Sequence, residues 1–356
     1  MVEWKKIGEV TKIIRGNRVT KSDLIDNGLY PVISGGFSPL GFIDRYNRDE
    51  NTITIAQYGS AGYVDWQKDK FWANDVCYSV YPLEHLNNKF LYYSLINKQH
   101  DIYLLRTNAV PAHLPLSKLQ DVDIPVPNLK EQERIVGVLD TFTASIDNLK
   151  EQIAQRRKQY EYYRDQLLDL EGNEGVERIA LKDVCEVING RAYKQQELLN
   201  EGKYRVLRVG NFFSNESWYY SDLNLEDKYY CESGDLLYAW SASFGPHIWK
   251  EEKVIYHYHI WKINCGDSLN KRFMYFWLQS EDMKKQAFTN LHGATMAHLT
   301  KALMESLMVP VPSLSEQNRI VDILDKFEAS IQNLEAQLSQ REKQYEYYQN
   351  KLLTFE

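Results

Sequence analysis

The residues of this 356-residue chain that could do chemistry do not form a recognisable catalytic set. The sequence has no G-x-x-x-x-G-K-[ST] phosphate loop, no G-x-G loop after a strand and no N-P-P-[FYW] or D-P-P-[YW] tetrad. His257 and His259 have the spacing of two ligands on one strand face, but no cysteine or carboxylate accompanies them at ligand spacing, which favours a half-buried strand over a metal site. Gly59-Ser60-Ala61-Gly62 is too loose for a nucleophile elbow and predicts a tight turn or a backbone approach to phosphate. We therefore expect a non-catalytic protein without a metal.

One segment of the chain occurs twice. The segment Pro125–Leu170 recurs at Pro310–Phe355 without a gap, at an offset of 185 residues. Both copies begin with a Pro-rich lead and continue without proline through residues that favour helices. A segment repeated this faithfully is expected to have the same mechanical role twice.

Each copy has the pattern of a long coiled-coil helix. Apolar and aromatic residues recur in alternating steps of four and three, and each helix would run roughly 60 Å at about 1.5 Å per residue. So narrow a stripe needs a partner, and the nearest one is the other copy, packed antiparallel. The predicted seam residues are Ile135, Leu139, Phe142, Ile146, Leu149, Ile153, Tyr160 and Tyr163 in the first copy, and Ile320, Leu324, Phe327, Ile331, Leu334, Leu338, Tyr345 and Tyr348 in the second.

Two pairs of residues in the repeats depart from a simple seam. Arg156 and Arg341 occupy the same seam position, where either their stems cover the apolar surface or they set the register or contact an acidic group. Tyr162 and Tyr347 fall off the seam and are candidates for contact with a partner.

The two regions outside the repeats are related to each other. Ile13–Asn17 (IIRGN) matches Val187–Arg191 (VINGR) at an offset of 174, whereas His113 matches His298 at 185, which predicts a net insertion of 11 residues in the second region. The two histidines could dock each domain on its helix or contact a ligand. Runs such as TITIAQY, DLLYAW and VIYHYHIWKI predict strands, and NKFLYYSLINKQHDIYLL and NKRFMYFWLQSEDMKKQAF predict helices.

The predicted fold class is therefore α+β, with two globular domains separated by two long helices that form an antiparallel coiled coil, in a pseudo-two-fold internal repeat. The predicted segments are residues 1–124 and 175–309 for the globular domains, and 125–174 and 310–356 for the helices.

Composition constrains the cellular location of the protein but not the kind of ligand that it binds. The formal net charge is −7, and the excess of acids lies in the repeats while the globular regions are close to neutral, so a basic face on either domain is compatible with it. No apolar run approaches the roughly 20 residues that span a bilayer. The four cysteines are scattered, which suits a reducing cytoplasm. We expect a soluble, cytoplasmic protein.

The whole chain resembles the specificity subunit of type I restriction–modification systems. The resemblance rests on the helix openings Pro127–Val136 (PNLKEQERIV) and Pro312–Val321 (PSLSEQNRIV), on the IRGNR and INGRAY runs that open the domains, and on the order domain–helix–domain–helix.

This resemblance implies that each globular domain is a target-recognition domain that reads one half of a split, asymmetric DNA sequence, with the helices fixing the gap. Side chains in Gly/Ser/Asn-rich turns can then reach base edges and phosphates. The candidates for DNA contact are Arg15, Arg18, Lys21, Gln57, Tyr58, Ser60, Arg106, Thr107 and Asn108 in the first domain, and Asn189, Arg191, Arg208, Asn211, Trp240, Ser241, Ser243 and His292 in the second.

The resemblance also implies partners. Two methyltransferase subunits would dock on the helices and domains and supply S-adenosylmethionine, and restriction/translocase subunits would bring ATP and Mg²⁺, so this chain would bind no cofactor itself. Two other hypotheses remain. A fused methyltransferase needs a cofactor domain for which the chain has no room, and a coiled-coil adaptor for proteins does not account for the paired divergent loops.

Overall fold

A computed structural model describes residues 2–212, 215–241, 244–288 and 299–355. The chain divides into two compact units, Met1–Glu151 with Ala336–Glu356, and Gln152–Glu335. Each unit therefore combines one globular domain with part of both long helices. These units cut across the four consecutive segments predicted from sequence, because each helix is shared between them.

The first unit contains a mixed set of short strands and helices. In chain order they are β1 (Glu3–Lys6), α1 (Ile7–Val10), β2 (Thr11–Arg15), β3 (Tyr30–Ile33), β4 (Phe42–Ile43), β5 (Thr52–Ala56), β6 (Val64–Gln67), β7 (Trp72–Ala73), β8 (Cys77–Pro82), α2 (Asn88–Asn97), α3 (Gln99–Leu104), α4 (Leu116–Gln120), β9 (Asp123–Val126) and the beginning of α5 (Leu129–Leu168).

The strands of this domain form two small sheets and one isolated pair. An antiparallel sheet has the order β2-β8-β5-β6, and a second sheet has the order β4-β3-β7, in which β3 runs parallel to β7. Strand β1 pairs with β9, so both ends of the domain meet directly before α5 begins.

The second unit repeats this design. In chain order it contains the end of α5, β10 (Glu177–Ala180), α6 (Leu181–Val184), β11 (Cys185–Asn189), β12 (Tyr204–Leu207), β13 (Tyr219–Ser221), β14 (Tyr230–Cys231), β15 (Leu236–Ala239), β16 (Gly245–Ile248), β17 (Val254–Tyr256), β18 (Ile260–Cys265), α7 (Lys271–Trp277), α8 (Glu281–Phe288), α9 (Lys301–Ser306), β19 (Met308–Val311) and part of α10 (Leu314–Leu353).

The sheets of the second domain follow the strand order of the first. The order β11-β18-β15-β16 corresponds to β2-β8-β5-β6, β13-β12-β17 corresponds to β4-β3-β7, and β10 pairs with β19 as β1 pairs with β9. The difference is β14, which adds an edge strand to the second sheet in the region where the alignment predicts extra residues. The predicted α+β duplication is confirmed.

Three of the predicted elements are interrupted. The run VIYHYHIWKI is not one strand, because residues 257–259 form the turn between β17 and β18. His257 and His259 are half-buried, as expected, but they lie in this turn and not within a strand. The predicted helices after β8 and β18 are each broken into two, α2 with α3 and α7 with α8.

Within each unit, the two long helices pack antiparallel through aromatic contacts. In the first unit the rings of Phe142 and Tyr348 stack with centroids 5.3 Å apart, and in the second Tyr163 stacks on Phe327 at 5.4 Å. The two seam arginines take equivalent positions, since Arg341 lies 5.7 Å from the Phe142 ring and Arg156 lies 5.9 Å from the Phe327 ring. Both arginines therefore cover the seam with a cation–π contact to the facing helix.

Both ends of each helix belong to globular cores rather than to a free coiled coil. Ile135 and Leu139, at the start of α5, are buried in the first domain, and Ile320 and Leu324 are buried in the second. Each domain also receives the end of the other helix. Leu168 and Leu170 enter the core of the second domain, and Leu353 enters the core of the first. No helix in the described ranges is long and apolar enough to cross a bilayer.

Candidate nucleic-acid interface

A close crossing of two backbones organises the same edge of both domains. A Cβ atom at Gly16 would lie 2.1 Å from the Asn74 carbonyl oxygen, and one at Gly190 would lie 2.3 Å from the His257 carbonyl oxygen. Only glycine permits such an approach. The repeated glycine thus places the loop after β2, or after β11, against the turn that precedes β8, or β18.

In the first domain a second glycine contact joins two candidate loops. Ser60 donates its backbone N–H to the Gly35 carbonyl at 2.7 Å, and a Cβ atom at Gly35 would lie 2.2 Å from the Tyr58 carbonyl oxygen. Gly59 has a left-handed φ of 73°. The Gly59–Gly62 segment is therefore a tight turn, as expected, and it holds Tyr58 and Ser60 beside the loop that follows β3.

Several candidates of the first domain lie together around this turn. Tyr58 stacks on His113 with ring centroids 5.3 Å apart, and the Thr107 hydroxyl lies 3.0 Å from His113 Nδ1. The Gln57 backbone carbonyl accepts from the Leu114 N–H, while its side-chain Oε1 is buried and has no hydrogen-bond partner among the described residues. His113 therefore holds this loop cluster together.

The basic candidates of the first domain extend from the cluster to the end of β2. Arg106 donates to the Tyr103 carbonyl at 2.8 Å and Arg15 donates to the Asp75 carbonyl, and both side chains are exposed. Arg18, Lys21 and Asn108 are also exposed.

Two residues next to these loops were missed by the sequence analysis. Phe37 follows the Gly35 contact and is 72% exposed, with its ring edge-on to Tyr63 at 4.8 Å. Arg45 lies 4.7 Å from the Trp72 ring. A Gly-Gly-Phe sequence signals a turn that carries an exposed ring, but the position of Arg45 beside the loops depends on the tertiary fold.

In the second domain the corresponding surface is built from aromatic rings. Trp240 stacks on Trp261 at 5.5 Å and donates its indole N–H to the Tyr258 carbonyl at 2.9 Å. The rings of His257 and His259 lie 4.9 Å apart. Burial, together with the neighbouring His259 and Arg208, lowers the pKa of His257 to about 4, so the ring is neutral near pH 7.

The two candidate arginines of this domain differ in their pairing. Arg191 binds both carboxylate oxygens of Glu197, at 2.9 and 2.8 Å, and this contact lowers the pKa of Glu197 to about 2. In the part of the chain that the structure describes, Arg208 forms no ion pair; its guanidinium lies 4.3 Å from the Tyr219 ring and its Nε is buried without a partner. In the described part of the chain Arg208 is therefore held by an aromatic ring and not by a carboxylate, whereas Arg191 stabilises its own loop.

The remaining candidates of the second domain have mixed roles. Asn211 is engaged in the loop itself, since its amide donates to the carbonyls of Asn215 and Ser217 and its oxygen accepts from the Arg208 N–H. Asn189 is exposed at the end of β11, the position that Arg15 has on β2, and Ser241 follows Trp240. Ser243, His292 and His298 lie outside the described residues.

A buried glutamine attaches each domain to its long helix. Gln132 accepts from the Asn87 N–H at 2.7 Å and donates to the carbonyls of His85 and Pro127 at 3.0 and 2.7 Å. Gln317 makes the same three contacts, with Asn270, Ser268 and Pro312 at 2.7, 2.9 and 2.8 Å. Both side chains are fully buried. The glutamine of the E-Q-x-R-I-V sequence thus has a structural role that spacing alone did not reveal.

Charged contacts at the same junction differ between the domains. Arg272 of α7 pairs with Asp325 at 2.7 Å and with Glu328 of α10. Burial opposes the charge of Arg272, but Glu328 and Asp325 more than offset it and raise its pKa. In the first domain Tyr93 donates to Asp140, and Lys89 lies 4.2 Å from the Trp66 ring.

The repeated tyrosines leave exposed aromatic surface on both helices. Tyr162 and Tyr163 are 61% and 46% exposed, and Tyr347 and Tyr348 are 57% and 39% exposed. Each pair packs edge-on at 5.3 Å. The outer residues Tyr162 and Tyr347 lie off the seam, as predicted. Among the residues that the structure describes, no group of three or more metal-binding side chains occurs.

Two copies of one α+β scaffold, each with divergent loops and each attached to a long helix by the same buried glutamine, define a class of duplicated binding proteins. A family model described as the type I restriction modification DNA specificity domain matches residues 1–156 and 173–342. The chain belongs to this family.

Relatives match over nearly the whole chain. A putative type I restriction enzyme specificity subunit of Haemophilus influenzae is 30% identical, over 99% of this chain and 96% of that protein. The EcoR124I/EcoR124II specificity subunit of Escherichia coli is 25% identical, over 99% of this chain and 94% of that protein. The crystal structure of a type I system S subunit from M. genitalium has the same fold, with a TM-score of 0.68, 21% identity and coverage of 100% of this chain and 97% of that one.

Proposed function

We propose that this chain is the non-catalytic specificity subunit of a type I restriction–modification complex, and that each globular domain reads one half of a split DNA target. The observation that carries the proposal is the duplicated scaffold with unlike loops: the same strand order presents Gln57 and Tyr58 in one domain and Trp240 and Ser241 in the other. Equal scaffolds explain two equivalent DNA-binding sites, and unlike side chains explain an asymmetric target.

The first domain is proposed to bind DNA through the cluster around the Gly59 turn. The half-buried side chain of Gln57 lies in this cluster, and its amide has the donor and acceptor groups that recognise base edges. Arg106, Thr107 and Asn108 border it, and Arg15, Arg18 and Lys21 supply positive charge for phosphates along the same edge. Tyr58 and Ser60 complete the set.

The second domain is proposed to rely on Arg208 and on the aromatic surface around Trp240. An arginine without a carboxylate partner binds guanine edges or phosphates without first breaking an ion pair. Asn189, Ser241, Ser243 and His292 remain proposed contacts. Asn211 and Arg191 are proposed to shape the loops, because their polar groups are already occupied.

The proposed partners are double-stranded DNA, two methyltransferase subunits and the restriction/translocase subunits. The methyltransferase subunits would contribute S-adenosylmethionine, and the motor subunits ATP and Mg²⁺. The exposed Tyr162 and Tyr347, at equivalent positions of the two helices, support two equivalent docking sites. The long helices are proposed to set the unspecified gap between the half-sites.

The decisive experiment is selection of bound sequences from random duplex DNA by the full-length chain, assembled with its methyltransferase subunits. We expect a split motif. Arg208→Ala should relax one half of the motif and leave the other unchanged, and Gln57→Ala should relax the opposite half. Arg205→Ala is the matched control, because Arg205 lies on β12, three residues before Arg208, but is already paired with Glu251 and Glu252 at 2.8 and 3.0 Å. A motif that both variants relax equally, or methylation by the chain alone, would refute the proposal.

A further inference from the structure

The two long helices share their seam but not the charges beside it. Seven of the eight predicted seam positions carry the same residue in both helices, and the eighth differs only as Ile153 against Leu338, so apolar packing discriminates weakly between the helices. The charge is reversed at two flanking positions of the repeat. Lys150 corresponds to Glu335, and Arg157 corresponds to Glu342, at the offset of 185.

These four residues contact each other across the helix pair. In the second unit Arg157 lies 2.5 Å from Glu335, and in the first unit Lys150 lies 3.4 Å from Glu342. The two ion pairs are equivalent under the repeat, because the 185-residue offset converts one pair into the other with the charges exchanged. Lys150 faces Glu342, which is the equivalent of Arg157, and Arg157 faces Glu335, which is the equivalent of Lys150.

The same geometry predicts what happens when a helix meets a second copy of itself. Two first helices would place Lys150 against Arg157 at both contacts. Two second helices would place Glu335 against Glu342 at both contacts. Like charges at such positions repel by about as much as opposite charges attract.

We propose that these reversed charges make the first helix select the second helix and reject another copy of itself. The two readers in one assembly are then always different. The selection matters most during synthesis, since the first helix is complete roughly 10–40 s before the second at ordinary rates of about 5–20 residues per second. During that time its apolar seam is open to the first helix of a neighbouring nascent chain, and the charges disfavour that pairing. The inference concerns helix pairing and is independent of the proposed DNA recognition.

Reversing one ion pair at a time separates selection from stability. Arg157→Glu with Glu335→Lys keeps the native pair attractive and preserves net charge. It also gives the first helix one base and one acid at these positions, so that two copies of it now attract. Lys150→Glu with Glu342→Lys does the same at the other pair. The quadruple variant, with both pairs reversed, again gives each helix two like charges and restores repulsion between identical helices.

The measurement is the dimer fraction of the full chain by sedimentation velocity after refolding at equal concentration, at about 20 mM and about 0.5 M salt. A dimer that pairs identical helices has two of these contacts in the pair of first helices and two in the pair of second helices. All four change from repulsion to attraction in each double variant, so we expect the dimer association constant at low salt to rise on the order of 20- to 500-fold. The quadruple variant should return to the wild-type value, and high salt should remove the differences. The urea midpoint of the monomer should be equal in all four chains.

Dimers in which the first helix of one chain pairs with the second helix of the other keep attractive ion pairs in every variant. They therefore add the same amount to the dimer fraction of all four chains and do not affect the comparison. Equal dimer fractions in the four chains at low salt would overturn the proposal, and so would a quadruple variant that dimerises like the doubles. A failure to select a split DNA motif would bear on the proposed function and leave this pattern unaffected.

Discussion

Replacing Gln317 by methionine should weaken the attachment of the second domain to its helix. The substitution keeps the length of the side chain and removes its three hydrogen bonds, to the Asn270 N–H and to the carbonyls of Ser268 and Pro312. Ser268 is exposed, so its carbonyl can turn to water, but the Pro312 carbonyl and the Asn270 N–H lose a buried partner. Each unsatisfied buried group costs about 1–3 kcal/mol, which gives a loss of about 3 kcal/mol in unfolding free energy after the gain from a buried methionine.

The assay combines urea unfolding with hydrogen exchange resolved by mass spectrometry, because a chain with two compact units need not unfold in one step. Protection should fall first in residues 268–277, which begin at the Ser268 carbonyl and include α7. Gln132→Met should produce the same loss in α2, through the equivalent contacts with Asn87, His85 and Pro127. Gln159→Met, on the exposed surface of α5, is the control and should change stability by less than about 0.5 kcal/mol. A loss below about 1 kcal/mol for Gln317→Met would refute the reasoning, as would equal loss of protection in both domains.

Three further predictions test other parts of the structure. Gly16→Ala and Gly190→Ala should each destabilise their domain by about 1–3 kcal/mol in urea unfolding, because the new Cβ would lie 2.1 or 2.3 Å from a carbonyl oxygen. Gly137→Ala is the control and should stabilise α5 by about 0.5–1 kcal/mol, because a Cβ at Gly137 would meet open space. A neutral change at Gly16 and Gly190 would argue against the backbone crossing. Arg272→Met should lower the free energy of unfolding by about 1–2 kcal/mol, because Asp325 and Glu328 lose a half-buried partner. Arg319→Met is the control and should lower it by less than about 0.5 kcal/mol, because the ion pair of Arg319 with Glu316 is mostly exposed. Equal losses would contradict the docking role of Arg272. The His257 ring should titrate by NMR with a pKa of about 4, below the ordinary histidine pKa of 6.5. Its contribution to stability is therefore present above pH 6.5 and is lost as the pH falls towards 4. A midpoint near 6.5 would show that the ring is not buried against His259 and Arg208.

Much of the architecture could be predicted from the sequence, because it follows from local patterns. The heptad spacing from Ile135 onwards specifies a long helix wherever it is found, and its repetition at Ile320 specifies a second one. The matching runs IIRGN and VINGR place a glycine at equivalent positions, 16 and 190, of the two domains. The strands and helices around TITIAQY and NKFLYY were expected because periodicity and turn residues are local signals.

The candidate site was only partly predictable, since a sequence gives the side chains but not their neighbours. Arg191 and Arg208 look alike in sequence, yet one is held by Glu197 and the other has no ion pair in the part of the chain described. The turn at His257–His259 was not predicted, because a continuous run of strand-forming residues does not show where the chain passes from one sheet to the next. Gln132 and Gln317 could not be assigned a role, because two of the three partners of each lie 45 to 49 residues away in the chain.

The sequence by itself determined that this protein is built twice, since a repeat of 185 residues and a heptad are properties of the chain alone. Only the tertiary structure decided which residues of the two copies contact each other. It brought the end of each helix into the core of the other half's domain, because Leu168 and Leu353 need apolar partners that no local segment provides. It also set Lys150 against Glu342 and Arg157 against Glu335, because the antiparallel seam fixes which flanking charges meet.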